Sequence, residues 1–182
     1  MAPLRSATAR TPSPRRFAGF RRCWLLARIG AGLALASLAS SGVLAADKAR
    51  ITGLSDVAFG MLANLSADSV QSQNVCIFSS SSTNGYNVQA IGSGSGGAFT
   101  LASGSNVLGY DVEWNSASGQ SSGTLLSPNV ALTGQVSSAT QQTCNSGPAS
   151  SASLIIVLRA AKLSSATAGS YSGTLTLVVA PE

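Results

Sequence analysis

Alternating apolar and polar positions dominate most of the chain. In the stretch VLGYDVEWN every second side chain is apolar, and Asp111 and Glu113 lie between them. Since successive side chains of a β-strand point to opposite faces, this stretch predicts a strand with one buried and one solvated face. The stretch YNVQAI has the same period, with Asn87 and Gln89 facing outward. The inward positions of the two strands are Leu108, Tyr110, Val112, Trp114, Tyr86, Val88 and Ala90.

Several further segments predict strands. In NVCIFSS, Cys76 and Phe78 share one face, and the Asn-Gly pair at 84–85 that follows is a strong turn signal. SLIIVLRA is continuously apolar from position 154 to 158, which is typical of a strand that is buried on both faces. GTLLS and NVALTGQV predict weaker strands, and GSYSGTLTLVVAPE predicts a final one.

These segments predict an all-β fold. About seven to nine short strands, with turn signals roughly every 8 to 12 residues, favour an immunoglobulin-like antiparallel β-sandwich. The stretch LANLSADSVQSQ is the candidate for a helix, because Leu62, Leu65 and Val70 loosely share a helical face. GSGSGG at 92–97 is expected to be a flexible connection, since it lacks the lysine and the helix that a phosphate-binding loop needs.

Residues 1–45 predict a secretory signal peptide. An arginine-rich start and an apolar stretch lead to the small-residue site VLA, which places the mature N-terminus at Ala46, and a cut one residue later also satisfies the rule. Two other interpretations stay open. The apolar stretch is close to the minimum length of a membrane-spanning helix, and RRCWL resembles a twin-arginine signal. Cleavage would leave one exported domain, 46–182, without a membrane span.

Removal of the leader reverses the charge. The mature part has four basic and six acidic residues, a net charge of −2, although the whole chain is formally +5. We therefore expect no nucleic-acid partner. Cys76 and Cys144 remain after Cys23 is lost, and two cysteines in an exported protein most simply form a disulfide. It would close a loop of about 69 residues, which chain entropy makes worth roughly 4 kcal/mol.

The mature chain offers no catalytic constellation. It has no histidine, so Ser-His-Asp and Cys-His sites are excluded, and no base is present to activate its serines. Asp111 and Glu113 share a strand face and could form a glycosidase pair, but alternating acids more commonly lie on a solvated face. Two thiols without histidine make a poor metal site. We expect no enzymatic activity, no metal and no cofactor.

The closing stretch GSYSGTLTLVVAPE resembles the end of exported bacterial pilus subunits of the chaperone–usher type. The similarity is to the archaic class, which includes spore coat protein U-like domains, and to the related alternate class. Those chains end in G-x-Y-x-x-x-L-x-L/V-x-V, matched here by Gly169, Tyr171, Leu175, Leu177 and Val179. The upstream order of a Cys-bearing strand, Y-x-V, a Gly-rich link, F-x-L and L-x-Y-x-V is also similar. Together they cover roughly half of the mature chain.

This resemblance implies an immunoglobulin-like fold that lacks its final strand. The last strand would border an open groove, filled first by a periplasmic chaperone and later, after delivery to an outer-membrane usher, by the N-terminal extension of another pilus subunit. Residues 169–180 carry neither charge nor proline, the usual protections of an exposed edge. The resemblance thus implies a non-enzymatic subunit of a homo- or heteropolymeric cell-surface fimbria with a role in cell adhesion.

The segment ITGLSDVAFGML leaves two interpretations open. Ile51, Val57, Phe59 and Met61 lie on one parity, as the donor strand of such a polymer would require. However, Cys76 stands only 30 positions after the predicted mature N-terminus, which leaves little room for both a donor strand and a complete first strand. If the segment is the first strand, the subunit would accept a strand and donate none, or the sandwich would be complete and would never polymerise.

The alternative function is a self-contained secreted adhesin, a β-sandwich module that binds carbohydrate or protein. Such a module would present aromatic side chains at its surface, where Trp114 and Tyr110 could stack on a sugar. Their alternation with acidic residues predicts instead that both lie in the core, together with Tyr86.

Overall fold

The computed structural model describes residues 4–5, 46–145 and 147–182, and nearly all regular structure in these ranges is β-strand. A four-residue helix, α1 (Ala160–Leu163), precedes the last strand, and a 3-10 turn lies at Ser95–Gly97. The prediction of an all-β antiparallel sandwich is confirmed. The described strands are β1 Leu4–Arg5, β2 Ala49–Thr52, β3 Ser69–Ser79, β4 Gly85–Gly92, β5 Thr100–Ser103, β6 Asn106–Gly109, β7 Asp111–Asn115, β8 Thr124–Leu125, β9 Ala131–Val136, β10 Ala152–Leu158 and β11 Gly173–Pro181.

Two sheets contribute side chains to one apolar core. The first sheet has the strand order β1-β11-β4-β9, and the second has the order β2-β3-β10-β7-β8, while β5 and β6 form a separate hairpin. Neighbouring strands are antiparallel except for β1 and β11, which are parallel. Most neighbours are far apart in sequence, so the apolar faces rather than tight turns determine the register.

Strand β10 lies at the centre of the second sheet, and all of its side chains are buried. It pairs with β3 on one side and with β7 on the other. Leu154, Ile156 and Leu158 face the core, while Ile155 and Val157 are buried on the opposite face. The prediction of a strand buried on both faces is therefore confirmed.

The three aromatic residues predicted for the core are all buried. The indole Nε1–H of Trp114 donates to the hydroxyl of Tyr86 at 3.0 Å, and the two rings meet edge to face at 6.4 Å between centroids. Burial raises the pKa of Tyr86, although this hydrogen bond opposes the shift. Tyr110 stacks on Phe99 at 5.8 Å, and burial raises the pKa of Tyr110 to about 12.

The stretch VLGYDVEWN forms two strands rather than one. Residues 106–109 belong to β6 in the hairpin with β5, whereas residues 111–115 belong to β7, which pairs with β10. At the junction the N–H of Tyr110 donates to the carbonyl of Phe99 at 3.0 Å. The apolar side of both pieces still faces one core, which is why the period-two pattern continues through the junction.

The expectation of a helix over residues 62–73 is wrong. Strand β3 begins at Ser69 and pairs residue by residue with β10, from Ser69 opposite Leu158 to Val75 opposite Ala152. Val70 and Leu65 are both exposed rather than buried on a helical face. Ladder hydrogen bonds to a buried central strand outweigh the loose helical spacing of three apolar residues.

The glycine-rich link at 92–97 forms a compact turn. The N–H of Gly94 donates to the carbonyl of Ala98 at 3.0 Å, and that of Gly97 donates to the carbonyl of Gly94 at 3.0 Å. A Cβ at Gly92 would lie only 2.1 Å from the carbonyl oxygen of Ala98. Glycine is required there because the backbone of the turn folds back onto the end of β4.

A disulfide joins Cys76 of β3 to Cys144 in the loop that connects β9 to β10, so the predicted pairing is confirmed. The two Cα atoms are 6.1 Å apart, and the bridge packs with Ala139 and Phe78 in a second apolar cluster outside the main core. Both the hydroxyl of Ser137 and that of Ser151, from the same loop, donate to the carbonyl of Ile77. The bridge therefore holds this loop against β3.

The predicted leader falls outside the described residues, apart from the backbone of positions 4–5. Within the described part of the chain, no helix is both long enough and apolar enough to cross a bilayer.

Candidate functional site

The outer edge of β11 is the candidate site. Strand β11 pairs with β4 in continuous register from Leu175 opposite Gly92 to Pro181 opposite Tyr86. The N–H of Thr174 donates to Ser93 Oγ at 3.2 Å and the N–H of Glu182 donates to the carbonyl of Gly85 at 3.0 Å, so even-numbered residues point their backbone groups toward β4. Because these groups alternate in direction along a strand, those of the odd-numbered residues point to the opposite edge.

Along this outer edge the described residues supply almost no partner strand. Among the described residues only β1 pairs there, with Leu4 opposite Gly173 and Arg5 opposite Thr174. From Leu175 to Pro181 no described strand accompanies the edge. This stretch contains no charged side chain, and its only proline is its last residue. It therefore lacks most of the features that normally protect an exposed edge from pairing.

The residues of the C-terminal motif lie beneath this edge. Leu175 and Leu177 are buried in the core, Leu177 with only 1% of its surface exposed, and Val179 packs against the core while partly exposed. Tyr171 is buried just before the strand, and its hydroxyl donates to the carbonyl of Thr167 at 2.8 Å. A strand added to the edge would therefore lie directly beside the apolar interior.

Strand β2 lies close to this side of β11. It is the edge strand of the second sheet, and Cα atoms of β2 and β11 come within 8 Å of each other. Ile51 of β2 belongs to the same core cluster as Leu175 and Leu177. We call the space between the outer edges of β2 and β11 the groove. No sequence pattern indicated that β2 would lie beside β11, because that neighbour depends on which strands end the two sheets.

The four residues of the N-terminal parity pattern are placed differently from one another. Ile51 lies in β2 opposite Ile77, Val57 is buried, and Phe59 is partly buried against the core. Met61, by contrast, is 88% exposed. Gly53 and Gly60 have φ of +82° and +67°, a left-handed conformation that interrupts an extended strand, so the alternation ends after β2.

Residues 53–62, which follow β2, form no regular strand, and we call them the irregular segment. A glutamine holds this segment to the second sheet. Gln73 of β3 accepts hydrogen bonds at 3.0 Å from both the N–H and the hydroxyl of Ser55, and its amide donates back to the carbonyl of Ser55 at 3.3 Å. No sequence pattern pointed to this pair, since the two residues lie 18 positions apart. The segment is thus fixed to its own domain.

A cavity of about 290 Å³ opens where the irregular segment meets the approach to β11. Its lining contains no charged residue and is formed mainly by apolar side chains from the irregular segment, the β5–β6 hairpin, α1 and the approach to β11. Representative lining residues are Phe59, Met61, Leu62, Leu108, Leu163 and Tyr171.

The opposite edge of the first sheet is built differently. Its edge strand, β9, has a register irregularity against β4 and contains Gly134 with φ of +70°. The N–H of Gly134 donates to the carboxylate of Glu182 at 2.7 Å. Irregular pairing and a nearby charge are common means of preventing edge-to-edge association. The two edges of one sheet thus differ in how they are protected, and only the β11 edge is regular and uncharged over its length.

The carboxylate pair of β7 forms an ion-pair network on the outer face. The guanidinium of Arg159 contacts Asp111 at 2.6 Å, Glu113 at 2.9 Å and Asp68 at 3.0 Å. Asp68 also accepts the N–H of Ala160 at 2.8 Å, and this bond, followed by that of Arg159, lowers the pKa of Asp68. Glu113 also accepts the N–H of Gly123 at 3.0 Å, so both acids of β7 have structural partners.

We expect Arg159→Gln to lower the melting temperature at pH 7 by about 2–6 °C, because three carboxylates lose their cation at a partly exposed site. The folded-state pKa of Asp68 is depressed, so its contribution is present at neutral pH and is lost as the pH falls through that pKa. The difference from wild type should therefore shrink below about pH 4. Thermal melts across pH measure it, with Lys162→Gln as the control. An equal difference at pH 7 and pH 3 would contradict this role.

The described residues contain no group of three or more histidine, cysteine, aspartate or glutamate side chains placed to hold a metal ion. Two comparisons with known proteins were also negative. No protein-family model matches the chain, and no curated protein matches it.

Proposed function

We propose that this protein is a structural subunit of a cell-surface fimbria that is assembled by strand addition at the groove. The observation that carries the proposal is the outer edge of β11, which has no described partner from Leu175 to Pro181 and lies beside a buried apolar floor. In strand addition, main-chain hydrogen bonds provide affinity, and alternate side chains that enter the apolar floor provide specificity.

The chemistry of the edge supports this proposal. Leu175, Leu177 and Val179 each direct an N–H and a carbonyl outward, and Pro181 directs a carbonyl. An added strand would satisfy these groups, and each hydrogen bond is worth about 1 kcal/mol net. The same strand would also cover the partly exposed side chain of Val179. Pairing and burial would therefore act together.

The proposal includes export and partners. The leader-like sequence of residues 1–45 and a disulfide that suits an oxidising compartment both support export. By resemblance, the groove would receive a strand of a periplasmic chaperone and then a strand of another pilus subunit, at an outer-membrane usher. No enzymatic step is required, because strand exchange involves only non-covalent contacts.

A proline at Val179 provides a direct test. It would remove an N–H from the outer edge without removing a hydrogen bond to β4, as the natural Pro181 does two positions later. The protein would be refolded with a labelled synthetic peptide that alternates valine and threonine, and peptide capture would be measured. We expect Val179→Pro to fold and to capture the peptide about tenfold more weakly than wild type.

Two controls make this test specific to the outer edge. Val178→Pro removes an N–H that points toward β4, so we expect it to lose the folded state in circular dichroism. Val178→Thr changes only the outward side chain and should capture the peptide like wild type. Undiminished capture by folded Val179→Pro would overturn the proposal that the outer edge is the binding surface.

The alternative of a self-contained adhesin gains no comparable support. The aromatic residues that could have stacked on a sugar, Trp114 and Tyr110, are buried. Trp114 also holds Tyr86 by a hydrogen bond inside the core. Its replacement would therefore report on folding rather than on recognition.

A further inference from the structure

We infer that this chain accepts a strand but supplies none, so that its partner at the groove is a segment of a different protein and the chain stands at one end of an assembly. The inference rests on the proposed function and on the predicted cleavage after Ala45. Of the two interpretations of residues 46–61, a free donor arm requires that part of this segment can leave its own domain, whereas a first strand does not.

Residues 49–52 form β2 and belong to the folded domain. They pair with β3 in register, with Ala49 opposite Ser79 and Thr52 opposite Cys76. Ile51 is buried in the main core. Donation of this strand would remove one wall of the groove from the same molecule, so a donor could not at the same time be an intact acceptor.

The residues after β2 also pack against the domain. Val57 is buried, and Leu54, Phe59 and Leu62 pack against the core. Ser55 is held by the side chain of Gln73 through three hydrogen bonds. Release of this segment would expose several apolar side chains to water, which is unfavourable. The segment is therefore part of the domain rather than a free arm.

The predicted mature chain is short ahead of β2. Ahead of β2 the predicted mature chain has only residues 46–48, and the backbone of Lys48 is itself bonded to Ser80, with distances of 2.8 and 2.9 Å. The edge that lacks a described partner strand extends from Leu175 to Pro181, which corresponds to roughly 20 Å of strand, whereas three extended residues span roughly 10 Å. After cleavage at the predicted site, the residues ahead of β2 would be too few to form such a strand and link it to a neighbouring domain.

The charge and polarity of the groove determine which kind of partner segment would fit it. The β11 edge from Leu175 to Pro181 is uncharged, and the floor beneath it is apolar. The partner segment would therefore be extended, long enough to match that edge, uncharged, and apolar at every second position. A second copy of this chain offers no free segment of that kind between positions 46 and 62.

The test uses the full reading frame, exported with its own leader, and begins by reading the N-terminus of the purified product. The product is then refolded alone and with the valine–threonine peptide, and its mass is measured by light scattering. We expect an N-terminus at or next to Ala46, a one-to-one complex with the peptide, and no regular ladder of polymers without it. A variant with a valine–threonine segment and a flexible linker inserted before Lys48 should form such a ladder.

The outcomes separate this inference from the proposed function. If the peptide neither binds nor stabilises the protein, the proposed function fails. If the peptide binds but the unmodified product forms a polymer ladder that the peptide caps, the proposed function stands and the inference is overturned. An N-terminus well upstream of Ala46 would likewise overturn the inference, because it would supply a free arm.

Discussion

A strand that alternates valine and threonine, fused after Glu182 through one serine and an Asn-Gly turn, should raise the melting temperature of the processed protein by about 10–20 °C, the serine being needed because the backbone of Glu182 itself faces β4. The turn would return the added strand antiparallel along the outer edge of β11. There it would satisfy the outward backbone groups of Leu175, Leu177 and Val179 and cover the groove. Several hydrogen bonds and partial burial of apolar side chains outweigh the entropy of ordering a short tethered strand.

The matched control is the same fusion with lysine in place of each valine. It has the same length and turn but would place charges against an apolar floor, so we expect no stabilisation. Without any fusion, the processed protein should aggregate or form oligomers, because the free N–H and C=O groups of a regular edge strand can pair with another chain. A wild-type protein that is monomeric and melts sharply at high temperature, with no gain from the valine fusion, would contradict an open groove.

Replacement of both Cys76 and Cys144 by alanine should lower the free energy of unfolding by about 4 kcal/mol, equivalent to about 10–20 °C in melting temperature. The bridge closes a long loop, since its two ends are 68 positions apart in sequence. It also holds the loop whose hydroxyls, from Ser137 and Ser151, bond to the carbonyl of Ile77. We therefore expect faster amide exchange around Ile77 as well as the loss of stability.

Reductant provides the control for this experiment. Wild type melted under reducing conditions should approach the double variant, and the double variant should not respond to reductant. If the double variant melts within about 2 °C of oxidised wild type, the bridge contributes little to stability and the chain-entropy estimate does not apply here.

Much of the fold was predictable because β-strands leave a period-two signal. Side chains at every second position of YNVQAI and VLGYDVEWN must avoid water together, so the burial of Tyr86 and Trp114 follows from the pattern alone. The helix expected over residues 62–73 failed for the complementary reason. Three apolar residues carry little information there, and pairing with β10 decided the conformation.

The candidate site was predictable in part. The motif Gly169 to Val179 indicated an apolar last strand, and Leu175 and Leu177 are buried beneath its outer edge. The parity of the N-terminal segment was a poorer guide, since Met61 is exposed while Val57 is buried. Gly53 and Gly60, both in the left-handed conformation, interrupt the extended backbone after β2. A period-two rule does not take account of such interruptions.

The ion-pair network around Arg159 could not be predicted from any local sequence pattern. Its three carboxylates come from β7 and from the loop before β3, and only the order β3-β10-β7 in the second sheet brings them to one cation. Periodicity predicted that Asp111 and Glu113 would lie on one outward face. The partner that neutralises them depended on which strand lies next to which.

By itself, the sequence determined that this is an all-β chain, which residues face its core, and that its last strand is apolar and uncharged. These properties follow from local alternation, because each strand records its own two faces. Only the tertiary structure decided that β4 takes one edge of β11 and that the other edge, beside β2, lacks a described partner from Leu175 onward. Strand neighbours are chosen by contacts between distant parts of the chain, which the alternation within one strand does not specify.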